Sequence, residues 1–411
     1  MGHFLFPQPM DRVRKNYGKV SQIYWSSKMR PRLFTPGPTQ ISDQVTKAMA
    51  QPMRHHRSPE FKQFFADTSK LLQQFFKTKN DVLTLTSSGS GGMEGAIVNF
   101  LSRGDKVITV EAGKFGQRWG EISRAYGLEV IPLIIEWGDF ATPDDIKNLL
   151  LKNPDAKAVL FTHSETSTGT AFDVQGITRV VRENSEALTI IDGVTSVGVL
   201  PFFMDEWDVD VCVSGSQKGA MIPPGLAFVA ISERAWRCAE TSDLPKYYFD
   251  FKKARKTLRN DTTPFTPATT LLIGLNEALK LFHAKGHEYH WQKYAAMSYA
   301  VRTGLTAAGL EVFSRQPSHA LTAMKVPTGI DGQEFVKIMR DKYNLTLAGG
   351  QDHLKGKIFR LAHMGYYDHL DMIAFAAALE LALRDLGWPL VPGLAVQGIQ
   401  KAYTEFINKP A

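Results

Sequence analysis

The residue with the clearest chemical potential is a lysine that closes an apolar run. In residues 211–218, an apolar stretch leads directly into a turn of small residues, and this turn presents Lys218. A lysine amine held at the end of a buried strand can bind an aldehyde covalently as a Schiff base. Most lysines are solvated surface charges, so this interpretation of Lys218 depends on the other polar segments of the chain.

A glycine-rich segment upstream predicts an anion-binding turn. Residues 81–86 are typical of a strand, residues 87–92 of a tight turn and residues 93–101 of the start of a helix. Glycines let the backbone approach a ligand closely, and the N–H groups of a helix N-terminus attract phosphate. No Gly-Lys-Ser/Thr follows, and the spacing differs from that of the dinucleotide fingerprint. Taken alone, the run is also compatible with an ordinary turn.

Two further polar segments follow apolar runs. Residues 158–162 lead into residues 163–169, and residues 188–191 lead into Asp192. In an open parallel sheet such strand ends lie at one edge, where ligands bind, so the segments should converge. An Asp after a buried run is often a helix cap, but beside a phosphate cradle and a lysine it can pair with a protonated pyridine nitrogen. These features together predict a site for pyridoxal 5′-phosphate (PLP).

The chain resembles the class V, fold type I PLP-dependent aminotransferases, and among them the alanine–glyoxylate and serine–glyoxylate enzymes. The matching motifs are residues 33–39, 53–61, 86–95, 113–118, 162–169, 192–196, 214–219, 223–225 and 359–361. The Ser-Gly-Ser-Gln-Lys segment that ends at Lys218 is the most specific of them. The resemblance implies an α/β fold, with a mainly parallel seven-stranded sheet in a large domain and a smaller C-terminal α+β domain.

The resemblance also implies which residues bind the cofactor. Four positions match the family's phosphate ligands: Ser88, Gly89, Ser90 and Gln217. Phe115 stands where the family usually has a ring-stacking tryptophan, so we expect stacking without the indole N–H. Val194 is expected to pack on the opposite ring face and Thr166 to lie near the 3′-oxygen, although a small hydroxyl there is also typical of a turn.

Other matched positions imply a shared active site in a homodimer. Thr262 and Thr263 lie in a segment that, in the family, completes the phosphate site of the second subunit. Arg259 replaces the usual aromatic residue of this segment, and its contact stays open. Arg360 matches a strand arginine that binds the substrate carboxylate through two parallel hydrogen bonds, and Gly37 is assigned to the same substrate site.

The implied activity is transfer of an amino group from a small amino acid, alanine or serine, to glyoxylate or pyruvate by a ping-pong mechanism. Lys218 is expected to act as anchor and general base, and Asp192 to keep the ring nitrogen charged. A PLP-dependent lyase or hydrolase, an aspartate-type donor and a non-catalytic interaction protein remain alternatives. A desulfurase is disfavoured, because Cys212 falls in a predicted buried strand and Cys238 in a predicted helix.

Length and composition suit this interpretation. A chain of 411 residues with 44% hydrophobic residues can bury a large core and divide into two domains. We predict an N-terminal arm at residues 1–32, a large domain at 33–285 and a small domain at 286–411. Within the small domain we predict strands at 310–314, 323–326 and 357–362, and helices at 332–343 and 370–386.

A net charge of +7 is compatible with binding to nucleic acid, but the basic residues are dispersed along the chain except in the N-terminal arm. We therefore expect no nucleic-acid partner, and an arm that is solvated or crosses to the partner subunit. A targeting role for the arm stays open. The absence of an apolar run of about 18 residues predicts no membrane span, and two cysteines favour a reducing, cytoplasmic location. No metal ligands are predicted.

Overall fold

The computed structural model describes residues 30–408, so most of the predicted N-terminal arm lies outside the described residues. The strands are β1 (Arg32–Leu33), β2 (Asp81–Thr86), β3 (Lys106–Glu111), β4 (Glu129–Ile134), β5 (Ala158–Thr162), β6 (Ser164–Glu165), β7 (Thr170–Ala171), β8 (Leu188–Asp192), β9 (Val211–Gly215), β10 (Leu226–Ile231), β11 (Leu321–Lys325), β12 (Leu345–Thr346), β13 (Ala348–Gly349) and β14 (Ile358–Ala362). The helices are α1 (Asp43–Met49), α2 (Pro59–Phe76), α3 (Gly89–Phe100), α4 (Lys114–Ala125), α5 (Pro143–Lys152), α6 (Val174–Asn184), α7 (Glu233–Ala239), α8 (Phe251–Leu258), α9 (Thr269–Lys285), α10 (His287–Ala307), α11 (Gly332–Asp341), α12 (His369–Asp385) and α13 (Leu394–Ile407).

The central sheet has seven strands in the order β2-β10-β9-β8-β5-β3-β4. Strand β10 is antiparallel to both of its neighbours, and the other pairings are parallel. Strands β5, β8, β9 and β10 are buried along their whole length, as expected of a sheet that is covered on both faces. The predicted α/β fold with a mainly parallel seven-stranded sheet is confirmed.

Helices cover both faces of this sheet. On β3, Ile108 faces a hydrophobic cluster that includes α2, α5, α6 and α9, whereas Val107 faces a second cluster formed with α3, α4, α7 and α8. The alternation follows from the two-residue period of a strand. The three-layer arrangement fixes the loops at the two edges of the sheet.

A third hydrophobic cluster lies in the C-terminal part of the chain. It joins α10, α11, α12 and α13 to a three-stranded antiparallel sheet of order β11-β14-β13. Phe34, which follows β1, belongs to the same cluster. The predicted domain boundary falls beside Gly286, between α9 and α10, and the division into domains stays a prediction.

Two predicted elements differ in the structure. The predicted strand at 310–314 is only an isolated bridge between Val312 and Met324, because the backbone of Arg315 turns away to bond Gly138 O. The second difference concerns the glycine-rich segment, where the helix starts at Gly89 and not at residue 93.

The glycines of α3 are explained by close packing. A Cβ added at Gly92 would lie 2.7 Å from Val213 Cγ1, and one at Gly95 would lie 2.6 Å from Phe251 Cζ. The low helix propensity of glycine predicted a turn, but tight contact of the helix with the sheet overrides it. The anion-binding segment is therefore the first turn of α3.

The fold brings the predicted site residues to one edge. Strands β9, β8, β5 and β3 are consecutive in the sheet, and their carboxyl ends lie at the same edge. Asp192 is the last residue of β8, and Lys218, Thr166 and Phe115 lie in the segments that follow β9, β5 and β3. None of the helices between residues 30 and 408 is long and apolar enough to cross a membrane.

The position of α3 depends on Asn99, a buried residue near its end. The Asn99 side chain donates to Phe249 O at 2.6 Å and accepts from Phe251 N at 2.9 Å. Asn99→Ala leaves both backbone groups unpaired, so we expect the free energy of unfolding in urea to fall by about 2 to 4 kcal/mol. Asn184→Ala is the matched control, since Asn184 bonds only to Val180 O within its own helix. Equal losses for the two variants would contradict this account.

Candidate active site

Lys218 is buried directly after β9. Its Nζ donates a hydrogen bond to Pro36 O and lies 3.5 Å from Thr195 Oγ1. Gly37 passes over the lysine with φ +111, and a Cβ added there would lie 2.2 Å from Lys218 Cε. Only glycine allows this approach. Gly37 therefore shapes the space around the amine, which is consistent with the position predicted for it at the substrate site.

The charges around Lys218 oppose one another. Burial lowers the pKa of Lys218 to about 8; Asp192 raises this pKa, whereas Arg360 and Arg118 lower it. Burial likewise raises the pKa of Asp192 to about 6, while the hydrogen bond from Val194 N to Asp192 Oδ1, 2.8 Å long, lowers it. Both side chains therefore change protonation near neutral pH, as functional groups often do.

The predicted anion cradle lies at the start of α3. Ser88 is the N-cap residue, but its side chain makes no capping hydrogen bond. The first N–H groups of a helix have no partner within the helix, so those of Gly89 and Ser90 are available to a ligand. A Cβ added at Gly89 would lie 2.7 Å from Val194 Cγ2, which places Val194 against the cradle.

Gln217 directly precedes the lysine in the chain. Its side-chain Oε1 is buried and has no hydrogen-bond partner among the described residues. Buried polar groups are normally paired, and no hydrogen bond within residues 30–408 holds this amide oxygen in place, so the NH2 group of the same side chain can be turned toward an anion as a donor. The hydroxyls and N–H groups of the cradle and the Gln217 NH2 group can donate to a phosphate, and the lysine suits an aldehyde. These residues fit PLP.

Phe115 is positioned by a buried carboxylate. Glu165 Oε2 accepts hydrogen bonds from Phe115 N at 3.1 Å and from Gly116 N at 2.8 Å, at the N-terminus of α4. Ser167 N donates to Glu165 Oε1 at 3.0 Å. A carboxylate at a helix N-terminus is favoured by the helix dipole. Glu165 thus ties the end of β5 to the helix that carries the predicted stacking ring.

Arg360 lies buried in β14 among carbonyl oxygens. Its Nε and Nη2 donate to Gly349 O at 3.1 and 2.7 Å, and its Nη1 donates to Thr166 O at 2.8 Å. Burial lowers the pKa of Arg360 to about 10, and Glu165 opposes this shift. Within residues 30–408 no carboxylate lies within ion-pair distance of the guanidinium. Two of its five N–H groups thus remain for an anionic ligand.

Thr166 also contacts the lysine side of the site. Its Oγ1 lies 2.6 Å from Thr195 Oγ1, and Thr195 is within 3.5 Å of Lys218 Nζ. The structure therefore connects Thr166, Lys218 and Arg360 through direct contacts. The predicted role of Thr166 near the 3′-oxygen stays a prediction.

Among the described residues, no hydrogen bond joins Thr262 or Thr263 to the cradle residues 88–90 of the same chain. Thr262 N donates to Thr257 O in the last turn of α8 at 3.1 Å, and Thr263 Oγ1 donates to Phe265 O at 2.7 Å, so these hydrogen bonds are local. Arg259 is the residue that ends α8. Their predicted contact with a second subunit stays a prediction.

Two residues of the site were missed by the sequence analysis, Glu165 and Arg118. Glu165 had a signal, since it is an acidic residue within a buried polar segment after a strand. Arg118 had a weaker one, the three-residue spacing from Phe115 that puts both side chains on one helix face. Cys212 and Cys238 lie where predicted, in β9 and α7, and burial raises the pKa of both thiols.

Comparison with known proteins defines the family. Residues 33–364 match the class-V aminotransferase family. A protein named soluble hydrogenase, small subunit, from Synechococcus sp. is 42% identical over 369 residues, covering 89% of this chain and 96% of its own length. A serine–glyoxylate aminotransferase from Methylorubrum extorquens is 36% identical over 382 residues, with coverages of 89% and 94%. The crystal structure of ureidoglycine–glyoxylate aminotransferase from Bacillus subtilis matches with TM-score 0.87 and 28% identity, covering 92% of this chain and 99% of that one.

The chain belongs to the class-V aminotransferase family. It is a PLP-dependent transferase, and the predicted family, cofactor and enzyme class are confirmed.

The burial of Asp192 predicts a pH-dependent stability in the cofactor-free protein. Its pKa in the folded state, about 6, lies above the ordinary value of 3.8, so the folded state loses stability as the pH rises from 4 to 6. At pH 8, Asp192→Asn should raise the free energy of unfolding by about 2 to 3 kcal/mol. The gain should disappear below pH 4, where the wild-type carboxyl is neutral.

Urea unfolding of apoprotein across pH 4 to 8 measures this difference. The control is Asp155→Asn, which removes an exposed carboxylate that is paired with Lys106 at 3.0 Å. This control should give no gain at any pH. A gain for Asp192→Asn that stays constant between pH 8 and pH 4 would contradict the assignment to the carboxyl charge.

Proposed function

We propose that this enzyme transfers the amino group of a small amino acid, alanine or serine, to glyoxylate or pyruvate in a ping-pong cycle. The observation that carries the proposal is the meeting of the buried Lys218 amine and the buried Arg360 guanidinium at one sheet edge, bridged by Thr166 and Thr195. The names of two relatives that use glyoxylate support this acceptor. Alanine and serine follow from the sequence resemblance.

PLP, when bound, supplies an electron sink for the bond that breaks at the substrate Cα. Lys218 binds the aldehyde in this proposal, and the cradle residues Ser88, Gly89 and Ser90 hold the phosphate together with Gln217. Phe115 and Val194 contact the two ring faces. Asp192 holds a proton at the ring nitrogen because its carboxylate, once paired with that cation, stays ionised.

Lys218 also moves the substrate proton. Burial lowers its pKa to about 8, so a neutral amine is accessible near physiological pH. A neutral amine can take a proton from Cα and return it to a neighbouring carbon, which is general base and then general acid catalysis. The Thr195 hydroxyl, 3.5 Å from Nζ, is placed to orient the amine.

Arg360 fixes the substrate carboxylate. Its fixed bonds to Gly349 O and Thr166 O hold the guanidinium plane, and one N–H on each terminal nitrogen remains for two parallel bonds to a carboxylate. Donor and acceptor both carry an α-carboxylate, so the same clamp serves both halves of the cycle. The other arginine of the site, Arg118, is already engaged by Ser90 and Phe115, so we favour small donors over aspartate.

The active site is completed by a second subunit in this proposal. Thr262 and Thr263 reach the phosphate of the partner, and Arg259 stands close to that segment. The exposed Tyr247 and the half-buried Phe265 lie in ring contact at 6.0 Å beside it, as expected of a surface that docks on another chain. The alternative of a lyase or hydrolase on this scaffold is distinguished by the half-reaction below.

The experiment that tests the proposal is a half-reaction screen of the PLP-loaded enzyme. Alanine and serine should each convert the bound cofactor to its pyridoxamine form in a one-to-one ratio, and glyoxylate should restore the original spectrum. Aspartate should react more slowly by at least about tenfold, since it gains no partner for its side chain. Release of ammonia without pyridoxamine formation would identify a lyase or hydrolase and overturn the proposal.

Lys218→Ala serves as the negative control of this screen and should show no half-reaction. Lys293→Ala is the matched variant: burial also lowers the pKa of Lys293 to about 8, but this lysine lies on α10 and outside the site. It should react as the wild type does. Normal turnover by the Lys218 variant would refute its assigned role.

Arg360→Ala should raise KM for both donor and acceptor by about 100-fold with a smaller change in kcat, because a carboxylate loses two charge-assisted hydrogen bonds in both half-reactions. Arg302→Ala is the control, since Arg302 is also a largely buried arginine with its pKa lowered to about 10, and it bonds Ser318 O at 3.1 Å. Its KM values should stay within about threefold of the wild type. An effect of Arg360→Ala on one substrate alone would contradict a shared clamp.

A further inference from the structure

The Arg118 side chain contacts two separate parts of the site, the Phe115 ring and the first turn of α3. It lies one turn after Phe115 on α4, and its guanidinium carbon is 4.8 Å from the centre of the Phe115 ring. Its Nη1 donates a hydrogen bond of 2.9 Å to Ser90 Oγ, in the first turn of α3. One side chain therefore spans from the predicted stacking ring to the predicted phosphate cradle.

The bond to Ser90 determines the direction of its hydroxyl proton. A guanidinium has only donors, whereas a serine hydroxyl has one donor and two acceptor sites. Ser90 must therefore accept from Arg118, and its own O–H is left to donate to another group. An anion seated on the first turn of α3 is the natural acceptor. Arg118 thus pre-orients a hydrogen bond toward the phosphate.

The contact with Phe115 fixes the ring. The backbone of Phe115 is held by Glu165, but a phenyl side chain can still rotate about its first side-chain bond. A guanidinium over the ring face is attracted by the negative charge of that face. Because the same guanidinium is anchored to Ser90, it holds the ring in one orientation. This support matters more for phenylalanine than for the larger indole, which has more area to pack.

Arg118 also acts on the charges of the site. Arg118 lowers the pKa of Asp192 and the pKa of Lys218, whereas Glu165 raises both. Arg360 also lowers the pKa of Lys218. A cation at this position favours an ionised carboxylate and a neutral amine. Both are the forms that the proposed chemistry requires.

We propose that Arg118 is a positioning residue for PLP, which orients the Ser90 hydroxyl toward the phosphate and holds the Phe115 ring against the pyridine. The inference rests on the proposed placement of the cofactor. It adds a residue that touches neither the reacting atoms nor the substrate, and that acts through Ser90 and Phe115.

The test measures cofactor binding without substrate. Apoprotein of Arg118→Gln is titrated with PLP by absorbance, and the Kd should rise at least about tenfold. The pH midpoint of the absorbance of the Lys218-bound cofactor should move up by about 0.5 to 1 unit, because a cation near the nitrogen has been removed. Arg118→Lys keeps the charge, so it should restore the midpoint while recovering only part of the affinity.

A double-mutant cycle separates positioning from a structural role. In the Ser90→Ala background, Arg118→Gln should change the Kd by a clearly smaller factor than in the wild type, since the hydroxyl that it orients is gone and only the contact with Phe115 remains. Arg124→Gln is the control, because Arg124 lies on the same helix and is half-exposed, with Glu111 as its partner at 3.4 Å. It should match the wild type in Kd and midpoint.

Wild-type Kd and midpoint in Arg118→Gln would overturn the inference, as would an undiminished effect in the Ser90→Ala background. Circular dichroism of each apoprotein verifies that it is folded. If Arg118→Gln does not fold, the PLP Kd and the pH midpoint of Arg118→Lys provide the test. If the enzyme binds PLP through these residues but transfers no amino group, the proposed function is wrong, whereas the role of Arg118 in cofactor binding still holds.

Discussion

The site depends on the burial of opposite charges at one edge of a parallel sheet. Moving an ionised side chain out of water costs several kcal/mol unless a partner compensates it. Here Lys218, Asp192 and Arg360 are all more than nine-tenths buried, and Asp192 and Glu165 oppose the shift that burial imposes on the lysine. These groups stay away from solvent because Asp192 and Arg360 lie within buried strands and Lys218 follows one, so the backbone has little freedom to move them outward. The free energy stored in this arrangement is available to a ligand with complementary charges.

The sequence was informative where an apolar run ends in a polar residue. Such an ending, repeated at β5, β8 and β9, was enough to predict the sheet edge and the convergence of Thr166, Asp192 and Lys218, because parallel strands present their carboxyl ends together. It was also sufficient for the α/β fold. These features follow from local composition, which a single chain displays directly.

Other features depend on contacts between distant segments. The start of α3 was placed four residues too late, because the glycines that lower helix propensity are required by the close approach of Val213 and Phe251. Glu165 and Arg118 act through partners that lie 49 and 28 residues away along the chain, and no local pattern reveals such partners. The predicted role of Thr262 and Thr263 involves a second chain, and it stays a prediction because the fold of one chain does not test it.

The hydrogen bond from Lys218 Nζ to Pro36 O ties the lysine to the segment that enters the core through Phe34. Gly37, the residue after Pro36, lies directly against the lysine side chain, so this segment borders the amine that would hold the cofactor aldehyde. Phe34 O accepts from Ala362 N, two residues beyond Arg360 in β14. The segment from Phe34 to Gly37 therefore joins Lys218 to the strand that carries Arg360, so the lysine and the arginine belong to one hydrogen-bonded framework although β9 and β14 lie in different sheets.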